Sequence, residues 1–535
     1  MSSPLISKEI IKTLTEYTAN LENEVCLVLQ TGDYNKRDEL VTFLNEICSV
    51  SEKLKFSERD FKDKARSPLT FFLEIDGKLN GISFSGIPSG HEFNSLILSI
   101  LQSGGSKISL DKSIKDTIAN IDKDLKFETI ISLSCHNCPE VVQALNQFSI
   151  LNPRISNEMI DGGLYPELMN ERDIQGVPCV YLNGEIFVNG KSDIAKLITN
   201  LEKLYPHIKS KPNEKLPKQD VVVIGGGPAG ISAAIYTARK GLSTTLIAET
   251  IGGQVKETMG IENLISVTST TGSKLTNDMH THLKDYEVSV KEHLRVTGIK
   301  NNSLKKITLS SGEVIESKTV IIATGAKWRE LGVPGEKENL GNGVAYCPHC
   351  DGPFFKGKDV AVIGGGNSGV EAALDLSGIV NKVTVLEFMP DFRADKILLD
   401  QVKKKNNIVM VSNAETQRIV SRSGKVSGIK YRDRSSNKIH EVGLKGVFIQ
   451  IGLIPNSQFL KNIVELNKYG EIIINEHGET SEEGIFACGD ATTVPYKQII
   501  ISMGEGAKAA LSASDYLIKN TSVNENTDIA ETILA

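Results

Sequence analysis

The stretch Asp220–Gly230, which reads DVVVIGGGPAG, decides the fold of the larger part of this chain. A short apolar run predicts a buried strand, and the glycines after it predict a tight turn into a helix. Gly225 allows that turn, Gly227 lets a pyrophosphate approach the backbone, and Gly230 lets helix and strand pack closely. The loop is completed by Pro228 and Ala229. The stretch therefore predicts a dinucleotide site.

A second copy of the pattern begins at Asp359 and reads DVAVIGGGNSG. Its loop residues are Gly364, Gly366, Asn367, Ser368 and Gly369. In each copy the next strand ends at an acidic residue, Glu249 or Glu387, which can accept hydrogen bonds from a ribose. The charge of Glu387 disfavours the 2′-phosphate of NADP, and Phe388 and Met389 beside it supply no cation. The second copy therefore predicts NADH, although Arg393 lies close in sequence.

Two such sites in one chain predict flavin in one and nicotinamide in the other. Between them a strand ends at Ala323, Thr324 and Gly325. Near the C-terminus another strand ends at Gly489 and Asp490, and a long helix is predicted from about Gln498 to Tyr516. The N-terminus of that helix is suited to stabilise negative charge on a reduced flavin.

A Cys-x-x-Cys pair lies between the two fingerprints, in the run YCPHCDG that contains Cys347 and Cys350. A thiol pair so close to two nucleotide sites predicts that electrons move from one cofactor, through the other, onto sulfur. A second pair, Cys135 and Cys138, lies far upstream and suggests where the electrons go next.

The first two hundred residues repeat one order of strands and helices, about 23–104 and then 127–205, as two thioredoxin-like units would. Cys135 and Cys138 lie where a predicted strand ends and a helix begins, and the N-terminus of a helix favours a thiolate. Cys135 is the predicted attacking thiol and Cys138 the resolving one. Half a zinc site is the alternative, but no second Cys or His pair follows. Pro178 is predicted to be a cis-proline beside the thiols.

Three further features of this part bear on function. Cys179 is either a packing residue or a redox residue, and Glu92 opens a helix, where the helix dipole alone favours an acid. At the matching position of the first unit, between its first strand and first helix, the chain has Thr31-Gly32-Asp33 and no cysteine. We therefore expect the first unit to shape a docking surface. Cys26 and Cys48 are predicted core residues.

Composition excludes several classes of protein. A net charge of −6 gives no electrostatic reason to expect nucleic-acid binding. No apolar run approaches the length of a membrane span, and the first seventeen residues lack the apolar core of an export signal. Eight cysteines in 535 residues do not form a disulfide scaffold. We therefore expect a cytoplasmic α/β protein that binds neither nucleic acid nor membrane.

At these residues the chain resembles the low-molecular-weight thioredoxin reductase family, and with its double N-terminal unit the flavoprotein components of alkyl hydroperoxide reductases. The matching runs include GGGPAG, GGQV, IEN, ATGA, CPHCDG, GGGNSGVEAALDL and FACGDATTVPYKQI. The resemblance implies FAD at the first fingerprint and at Asp490, and NAD at the second. It extends the flavin site to Gly253, Gln254, Asn263 and Gln498. It also implies that Cys350 lies against the flavin, that Cys347 exchanges with the next disulfide, and that Asp351 donates or accepts the proton.

The resemblance further implies a homodimer whose substrate is a separate two-cysteine peroxiredoxin. A general reductase of thioredoxin or small disulfides is the nearest alternative. A redox sensor would not need two complete pairs, and an NADH oxidase would leave both pairs unexplained. Neither the sequence nor the resemblance assigns a role to Cys488.

The predicted organisation is two tandem thioredoxin-like units followed by two Rossmann-like dinucleotide-binding domains. The parts are a cysteine-pair-free thioredoxin-like unit at 1–105, a second such unit with the pair at 106–205, a linker at 206–219, a flavin domain at 220–327 and 456–516, and a nicotinamide domain at 328–455. The tail, 517–535, is predicted to be disordered.

Overall fold

The computed structural model describes residues 6–534 apart from 136, 175, 191, 209–215, 259 and 423, and at 257, 350 and 521–534 it describes the backbone alone. The chain divides into two compact units, formed mainly by Met1–Lys215 and by Leu216–Ala535. Among the described residues no helix is long and apolar enough to cross a membrane.

The first unit alternates strands and helices in the order that the sequence predicts. Its helices are α1 Lys8–Thr18, α2 Arg37–Cys48, α3 Phe93–Ser103, α4 Lys112–Ala119, α5 Cys138–Leu151, α6 Pro166–Glu171 and α7 Ile194–Leu204. Its strands are β1 Val25–Gln30, β2 Leu54–Arg59, β3 Thr70–Ile75, β4 Lys78–Ser85, β5 Leu125–Ile131, β6 Ile155–Asp161, β7 Cys179–Leu182 and β8 Glu185–Asn189.

The two halves of this unit share one sheet, which the sequence does not predict. The eight strands lie in the order β2-β1-β3-β4-β6-β5-β7-β8, so β4 of the first half pairs with β6 of the second. That pairing is parallel, with Ile82 opposite Asn157 and Ser85 opposite Ile160. Because β4 and β6 have paired neighbours on both sides, neither half leaves an open sheet edge at the junction.

A buried ionic cluster crosses the same junction. Arg66, from the first half, contacts Glu128 and donates to Glu158 at 2.8 Å, and Arg172 donates to Glu128 at 3.0 Å. Buried carboxylates are costly unless they are paired, so each arginine offsets the desolvation of its partners. Removing one arginine would leave an unpaired buried charge and loosen the two halves.

The second unit contains both glycine-rich loops. Its helices are α8 Pro228–Arg239, α9 Gly272–Lys284, α10 Pro348–Asp351, α11 Asn367–Ser377, α12 Lys396–Val402 and α13 Ile499–Leu534. Its first strands are β9 Gln219–Ile224, β10 Thr244–Ala248, β11 Val288–Glu292, β12 Val296–Lys300, β13 Lys305–Leu309, β14 Val314–Ile322, β15 Ala326–Trp328 and β16 Val344–Ala345. The remaining strands are β17 Asp359–Ile363, β18 Lys382–Leu386, β19 Ile408–Val411, β20 Ala414–Arg422, β21 Lys425–Asp433, β22 Ile439–Gly443, β23 Gly446–Ile449, β24 Leu453–Pro455 and β25 Ile485–Ala487.

Two parallel sheets position the glycine loops at the carboxyl ends of their strands. The first contains β10-β9-β14, with β25 beside β14, and the second has the order β16-β23-β17-β18-β19. The central strands β9 and β17 are buried on both faces, which explains their nearly uninterrupted Val and Ile. This confirms the predicted α/β class.

Two short connections join the two sheets, and they pair with each other as a ribbon. Strands β15 and β24 are antiparallel, with Ala326 opposite Pro455 and Trp328 opposite Leu453. A glycine with positive φ flanks each strand, Gly325 at +65° and Gly452 at +106°. We call β15 and β24 the hinge ribbon.

Three local predictions can be compared with the structure. The Val177–Pro178 bond is cis, as predicted. The centre of the predicted linker lies outside the described residues, but its first part forms a short 3₁₀ turn in which Ile208 is buried. The backbone of α13 continues as helix to Leu534, with no glycine or proline after Gly506 to interrupt it, and the disorder of 517–535 stays a prediction.

Candidate functional site

The first glycine loop has the geometry that a pyrophosphate needs. A Cβ added at Gly230 would lie 1.7 Å from the Gly225 carbonyl oxygen, and one at Gly225 would lie 2.2 Å from the Ala323 oxygen. A Cβ at Gly227 would meet nothing within 4 Å, so the middle of the loop faces open space. Gly227 caps α8 without a side-chain hydrogen bond, and Pro228 and Ala229 open the helix. The first amides of α8 therefore point toward this open space.

The other residues predicted for the flavin converge on this loop. Gly253 lies against Gly227, since its Cβ would be 3.2 Å from the Gly227 Cα, and Gly489 lies against Ala229 at 3.0 Å by the same measure. Gln254 donates to the Ala326 carbonyl. Glu249 follows directly after β10. Gly253 and Gly489 thus lie close to the N-terminus of α8.

Two polar side chains of this group show whether the residues present fit FAD. The Thr324 hydroxyl is buried and has no hydrogen-bond partner among the described residues. Burial raises the pKa of the Asp490 carboxyl, which accepts a 3.1 Å hydrogen bond from Ser502. Ribityl and phosphate groups would satisfy such atoms, so the residues present fit FAD.

The second glycine loop repeats the geometry of the first. A Cβ at Gly369 would lie 1.9 Å from the Gly364 oxygen, and one at Gly364 would lie 2.4 Å from the Gln450 oxygen. Gly366 again faces open space and caps α11. Ser368 is exposed at the start of α11. Asn367, in contrast, is held by Asp395, with which it exchanges two hydrogen bonds of 2.9 Å.

Glu387 closes the second loop. One carboxylate oxygen accepts the Gly365 amide at 2.5 Å and the other accepts the Met389 amide at 2.8 Å. The side chain is therefore fixed at the glycine turn, and each oxygen retains a lone pair for a ribose hydroxyl. This arrangement fits NAD.

A cation that the sequence does not predict lies next to this acid. The Arg434 guanidinium lies 3.9 Å from the Phe388 ring centroid and donates to the Phe388 carbonyl at 2.9 Å. Phe388 and Met389 themselves supply no cation, but tertiary folding brings Arg434 to Phe388. Forty-odd residues separate Arg434 from Phe388, and only the turn after β21 brings them together.

The disulfide of this unit lies next to a residue predicted for the flavin. Cys347 is disulfide-bonded, and its sulfur accepts a 3.9 Å hydrogen bond from Gln498. Gln498 accepts in turn from Asn263 at 3.2 Å. The side chain of Cys350, which the family resemblance places against the flavin, lies outside the described residues. The contact to Gln498 nevertheless places the sulfur of Cys347 at the N-terminal end of α13.

Asp351 is the last residue of α10, the short helix that begins directly after Cys347. Its amide donates to the Cys347 carbonyl at 3.0 Å. Burial raises the pKa of the Asp351 carboxyl to about 6. A carboxyl with that pKa can both hold and release a proton near neutral pH.

In the first unit Cys135 and Cys138 differ as attacking and resolving thiols should. Cys135 is half-buried and its sulfur approaches the Val177 carbonyl at 3.8 Å, whereas Cys138 is completely buried. The hydrogen bond from Cys138 and the backbone amides of Asn137 and Cys138 lower the pKa of Cys135 to about 6. The same pairing and burial raise the pKa of Cys138.

Glu92 is a candidate that the sequence analysis left undecided. It is completely buried, and neither carboxyl oxygen has a hydrogen-bond partner among the described residues. Burial, and to a smaller extent negative charge on Cys135, raise the pKa of the Glu92 carboxyl to about 7. A helix-dipole role would leave the carboxylate solvated, so this burial beside the thiols favours a role in proton transfer.

The remaining cysteines have no comparable setting. Cys179 and Cys488 are buried, and burial raises the pKa of each thiol. Cys26 and Cys48 are only partly buried, so the prediction that they are core residues holds in part. Among the described residues no group of three His, Cys, Asp or Glu side chains is placed to hold a metal.

Known proteins resemble this chain over its parts and its whole. Residues 219–507 match the family model described as pyridine nucleotide-disulphide oxidoreductase, and residues 126–202 match the thioredoxin domain. A protein of Ferdinandcohnia aciditolerans named NADH dehydrogenase is 46% identical over 522 residues, 98% of this chain and 99% of that protein. One of Staphylococcus aureus (strain MRSA252), named as the F subunit of alkyl hydroperoxide reductase, is 47% identical over 517 residues, 96% of this chain and 100% of that protein. The structure of Streptococcus pyogenes thioredoxin reductase is 36% identical, with a TM-score of 0.54, and covers 56% of this chain and 99% of its own.

Proposed function

Since the chain belongs to the pyridine nucleotide-disulphide oxidoreductase family and, over its whole length, to the flavoprotein family of alkyl hydroperoxide reductases, we propose that it reduces a peroxiredoxin with electrons from NADH. It is an FAD- and NAD(P)H-dependent disulfide oxidoreductase. The proposed path leads to the pair Cys347–Cys350, then to Cys135–Cys138, and out to the disulfide of a two-cysteine peroxiredoxin that reduces hydroperoxides.

The nucleotides supply the two-electron chemistry, and the chain supplies position and protons. When bound, FAD would supply two-electron chemistry between the nicotinamide and the sulfur of the disulfide. The loops at Gly227 and Gly366 would hold the two pyrophosphates, and Asp490 and Glu387 would hold the sugar hydroxyls. Asp351 protonates the sulfur that leaves when the disulfide opens. These roles follow from the open loops and from the buried carboxyls described above.

The observation that carries the proposal is the contact between Cys347 and Gln498. One inserted domain, about 328–455, contains both the disulfide and the nicotinamide loop, yet both must reach one flavin. In the structure the disulfide side faces the flavin residues, since Cys347 contacts Gln498 and the Phe354 ring lies 3.2 Å from the Cβ position of Gly260. The nicotinamide side of the inserted domain must then reach the flavin by rotation of that domain about the hinge ribbon.

A crosslink tests this rotation. Gly260→Cys and Phe354→Cys, joined by a short bismaleimide while the native pairs are protected as disulfides, would hold the disulfide-facing setting. We expect that NADH no longer reduces the flavin, whereas dithionite still does. Flavin reduction by NADH at the rate of the uncrosslinked variant would refute the rotation.

Two thiol exchanges follow in which one disulfide is lost for each one formed. The Cys347 thiolate attacks the Cys135–Cys138 disulfide, a mixed disulfide forms, and Cys350 then attacks the sulfur of Cys347, which regenerates Cys347–Cys350 and leaves the upstream pair reduced. Cys135 next attacks the peroxiredoxin disulfide and Cys138 resolves the product. The low pKa of Cys135 and the raised pKa of Cys138 suit these roles, because only a thiolate attacks.

NADH is the proposed donor. Glu387 is fixed beside the second loop, where its negative charge opposes a 2′-phosphate. Arg434 attracts such a phosphate less directly, because its guanidinium already contacts the Phe388 ring and donates to the Phe388 carbonyl. Steady-state kinetics with both nucleotides test the proposal. A larger kcat/KM for NADPH than for NADH would contradict it.

The proposed assembly is a homodimer in the cytoplasm, without nucleic acid or membrane. The family resemblance supports the dimer, and a reducing compartment that contains NADH suits a protein that regenerates thiols. Light scattering on the FAD-loaded protein tests the assembly. A mass near that of one chain, 58.2 kDa, at micromolar concentration would contradict the dimer.

The decisive experiment follows NADH oxidation with a two-cysteine peroxiredoxin and a hydroperoxide. We expect Cys135→Ser with Cys138→Ser to abolish peroxide-dependent turnover, while reduction of ferricyanide by the flavin survives. The matched control replaces two cysteines outside the proposed path, Cys26→Ser with Cys48→Ser, and should keep both activities.

Unchanged peroxide turnover in the Cys135 and Cys138 variant would refute the relay through the first unit. Replacement of the peroxiredoxin by thioredoxin separates the main alternative. If the wild type reduces thioredoxin at catalytic concentration and the peroxiredoxin poorly, the chain is a general disulfide reductase.

A further inference from the structure

Tyr346 directly precedes Cys347, and its side chain makes two contacts beside the hinge ribbon. Its ring stacks on Trp328 of β15, with the ring centroids 6.1 Å apart and the planes 12° from parallel. Its hydroxyl donates to Glu336 at 2.7 Å. Burial and the Glu336 carboxylate raise the pKa of Tyr346, so the hydroxyl stays protonated as a donor across the physiological range.

Glu336 connects this hydroxyl to the backbone segment that follows β15. The side chain is buried, with 1% of its surface exposed, and a buried carboxylate is tolerated only when it is fully paired. Its two oxygens accept the Leu331 amide at 2.8 Å and the Gly332 amide at 2.6 Å. Three donors therefore converge on one carboxylate, and one of them belongs to the residue before the disulfide.

The backbone of Tyr346 is held from the segment that leads into β24, the other strand of the ribbon. Gln450, which lies two residues before Gly452, donates from its side chain to the Tyr346 carbonyl at 2.6 Å. The same residue packs its own carbonyl against Gly364 of the nicotinamide loop. Tyr346 is thus connected to the first strand of the ribbon by its side chain and to the approach of the second strand by its carbonyl.

We propose that Tyr346, with Trp328 and Glu336, is a positioning residue that holds the Cys347 disulfide in a fixed place relative to the hinge ribbon. The proposal rests on the proposed function, in which this disulfide alternates between the flavin and the pair in the first unit. A disulfide loosely attached to the ribbon would arrive out of line after each rotation. Misplacement by about 1 Å can cost a reaction of this kind about a hundredfold.

The test compares two activities of the full-length, FAD-loaded protein. NADH-dependent ferricyanide reduction reports the hydride step and needs no cysteine, whereas NADH-dependent DTNB reduction reports the thiol path. Tyr346→Phe retains the ring and removes only the hydroxyl, and we expect kcat for DTNB to fall about tenfold with KM unchanged. Ferricyanide reduction should stay within about twofold.

Two further variants separate positioning from folding. Trp328→Ala should produce the same loss as Tyr346→Phe or a larger one, and Trp328→Phe, which can still stack, should recover most of the activity. Tyr469→Phe is the control, because Tyr469 is an exposed tyrosine of the same unit. Anaerobic stopped-flow should assign the loss to the phase in which the reduced flavin is reoxidised by the disulfide.

An unchanged DTNB activity in Tyr346→Phe would overturn the inference, and so would an equal fall in both activities. A failure of Trp328→Phe to recover activity would overturn the role of stacking. If the wild type itself reduced ferricyanide but no disulfide, the proposed function would fail first and the inference with it.

Discussion

The substitution Glu92→Gln tests how the protein treats a carboxyl buried beside a thiol pair. Glu92 is the last residue before α3 and has no exposed surface. Neither oxygen has a hydrogen bond among the described residues, so ionisation inside the fold is opposed chiefly by lost hydration. Glutamine has nearly the same shape and cannot ionise.

The expected magnitude follows from the pKa. Burial raises the pKa of the Glu92 carboxyl from 4.5 to about 7, and each pKa unit corresponds to about 1.36 kcal/mol of free energy. The folded chain holds this proton more tightly than the unfolded chain, so the stability that Glu92 contributes is full below pH about 4.5 and is lost as the pH rises through about 7. Relative to the protein with Glu92 protonated, the free energy of unfolding is lower by about 1 kcal/mol at pH 5 and by about 3 kcal/mol at pH 8.

Burial of the substituted amide costs the same at both pH values, so the informative quantity is a difference. Relative to the wild type, Glu92→Gln should gain about 2 kcal/mol in local opening free energy between pH 5 and pH 8. Hydrogen exchange followed by mass spectrometry on peptides from α3 and β5 of the full-length protein gives that energy. Tryptophan fluorescence would not serve, because the single tryptophan, Trp328, lies in the other unit.

Glu185→Gln is the control, because Glu185 is exposed at the start of β8 in the same unit. It should show no such gain. If Glu92→Gln were instead destabilised at pH 8, the carboxylate would be charged and paired in the folded protein. Equal effects at both pH values would also refute the reasoning.

Three other predictions concern the second unit. Gly230→Ala places a Cβ 1.7 Å from the Gly225 carbonyl oxygen, so the purified protein should lose its flavin absorbance, whereas Gly504→Ala, where a Cβ meets nothing within 4 Å, should keep it; a yellow Gly230→Ala protein would contradict this packing. Glu387→Gln keeps an acceptor and removes the charge, so the ratio of kcat/KM for NADPH to that for NADH should rise about tenfold, and an unchanged ratio would show that the charge does not select the nucleotide. Asp351→Asn should slow DTNB reduction about a hundredfold and should remove the limb of the pH–rate profile near pH 6, where burial places the Asp351 pKa; a limb that persists in the variant belongs to another group.

The parts of the fold that short patterns specify were predictable from sequence. Both glycine loops begin where an apolar strand ends, and the last glycine of each loop, Gly230 or Gly369, meets the carbonyl oxygen of the first glycine five residues earlier. The Cys135 pair could be placed at a helix start for the same reason, since strand, thiols and helix are consecutive. Pro178 could be predicted as cis because it precedes a strand in the second thioredoxin-like unit.

Contacts between distant segments could not be predicted in this way. Glu92 reaches the thiols from the other half of the first unit, and no periodic pattern connects its position to Cys135. The parallel pairing of β4 with β6 depends on two strands that each read as an ordinary half-buried strand. Arg434 approaches Phe388 only after β20 and β21, which lie between them in the chain, have paired. In each case tertiary packing supplies the partner.

The hinge ribbon lies between these extremes. The sequence predicts domain boundaries at 327/328 and at 455/456, but it does not predict that the segments at these boundaries pair with each other. Nor does it predict that Tyr346 stacks on Trp328 of that ribbon. An aromatic residue before a cysteine has many ordinary explanations. Only the two contacts of Tyr346, its hydrogen bond to Glu336 and its stacking on Trp328, indicate a positioning role.

The central claim, that Cys347 passes electrons to the pair in the first unit, is tested most directly by trapping the exchange. In a Cys138→Ser, Cys350→Ser protein each pair keeps its attacking thiol, and mild oxidation with diamide should join Cys347 to Cys135 in a disulfide that mass spectrometry identifies. The complementary Cys135→Ser, Cys347→Ser protein should form no such link. The account predicts the Cys347–Cys135 disulfide in high yield within one chain or between two chains. Its absence, while the first protein still binds FAD and reduces ferricyanide with NADH, would contradict the relay.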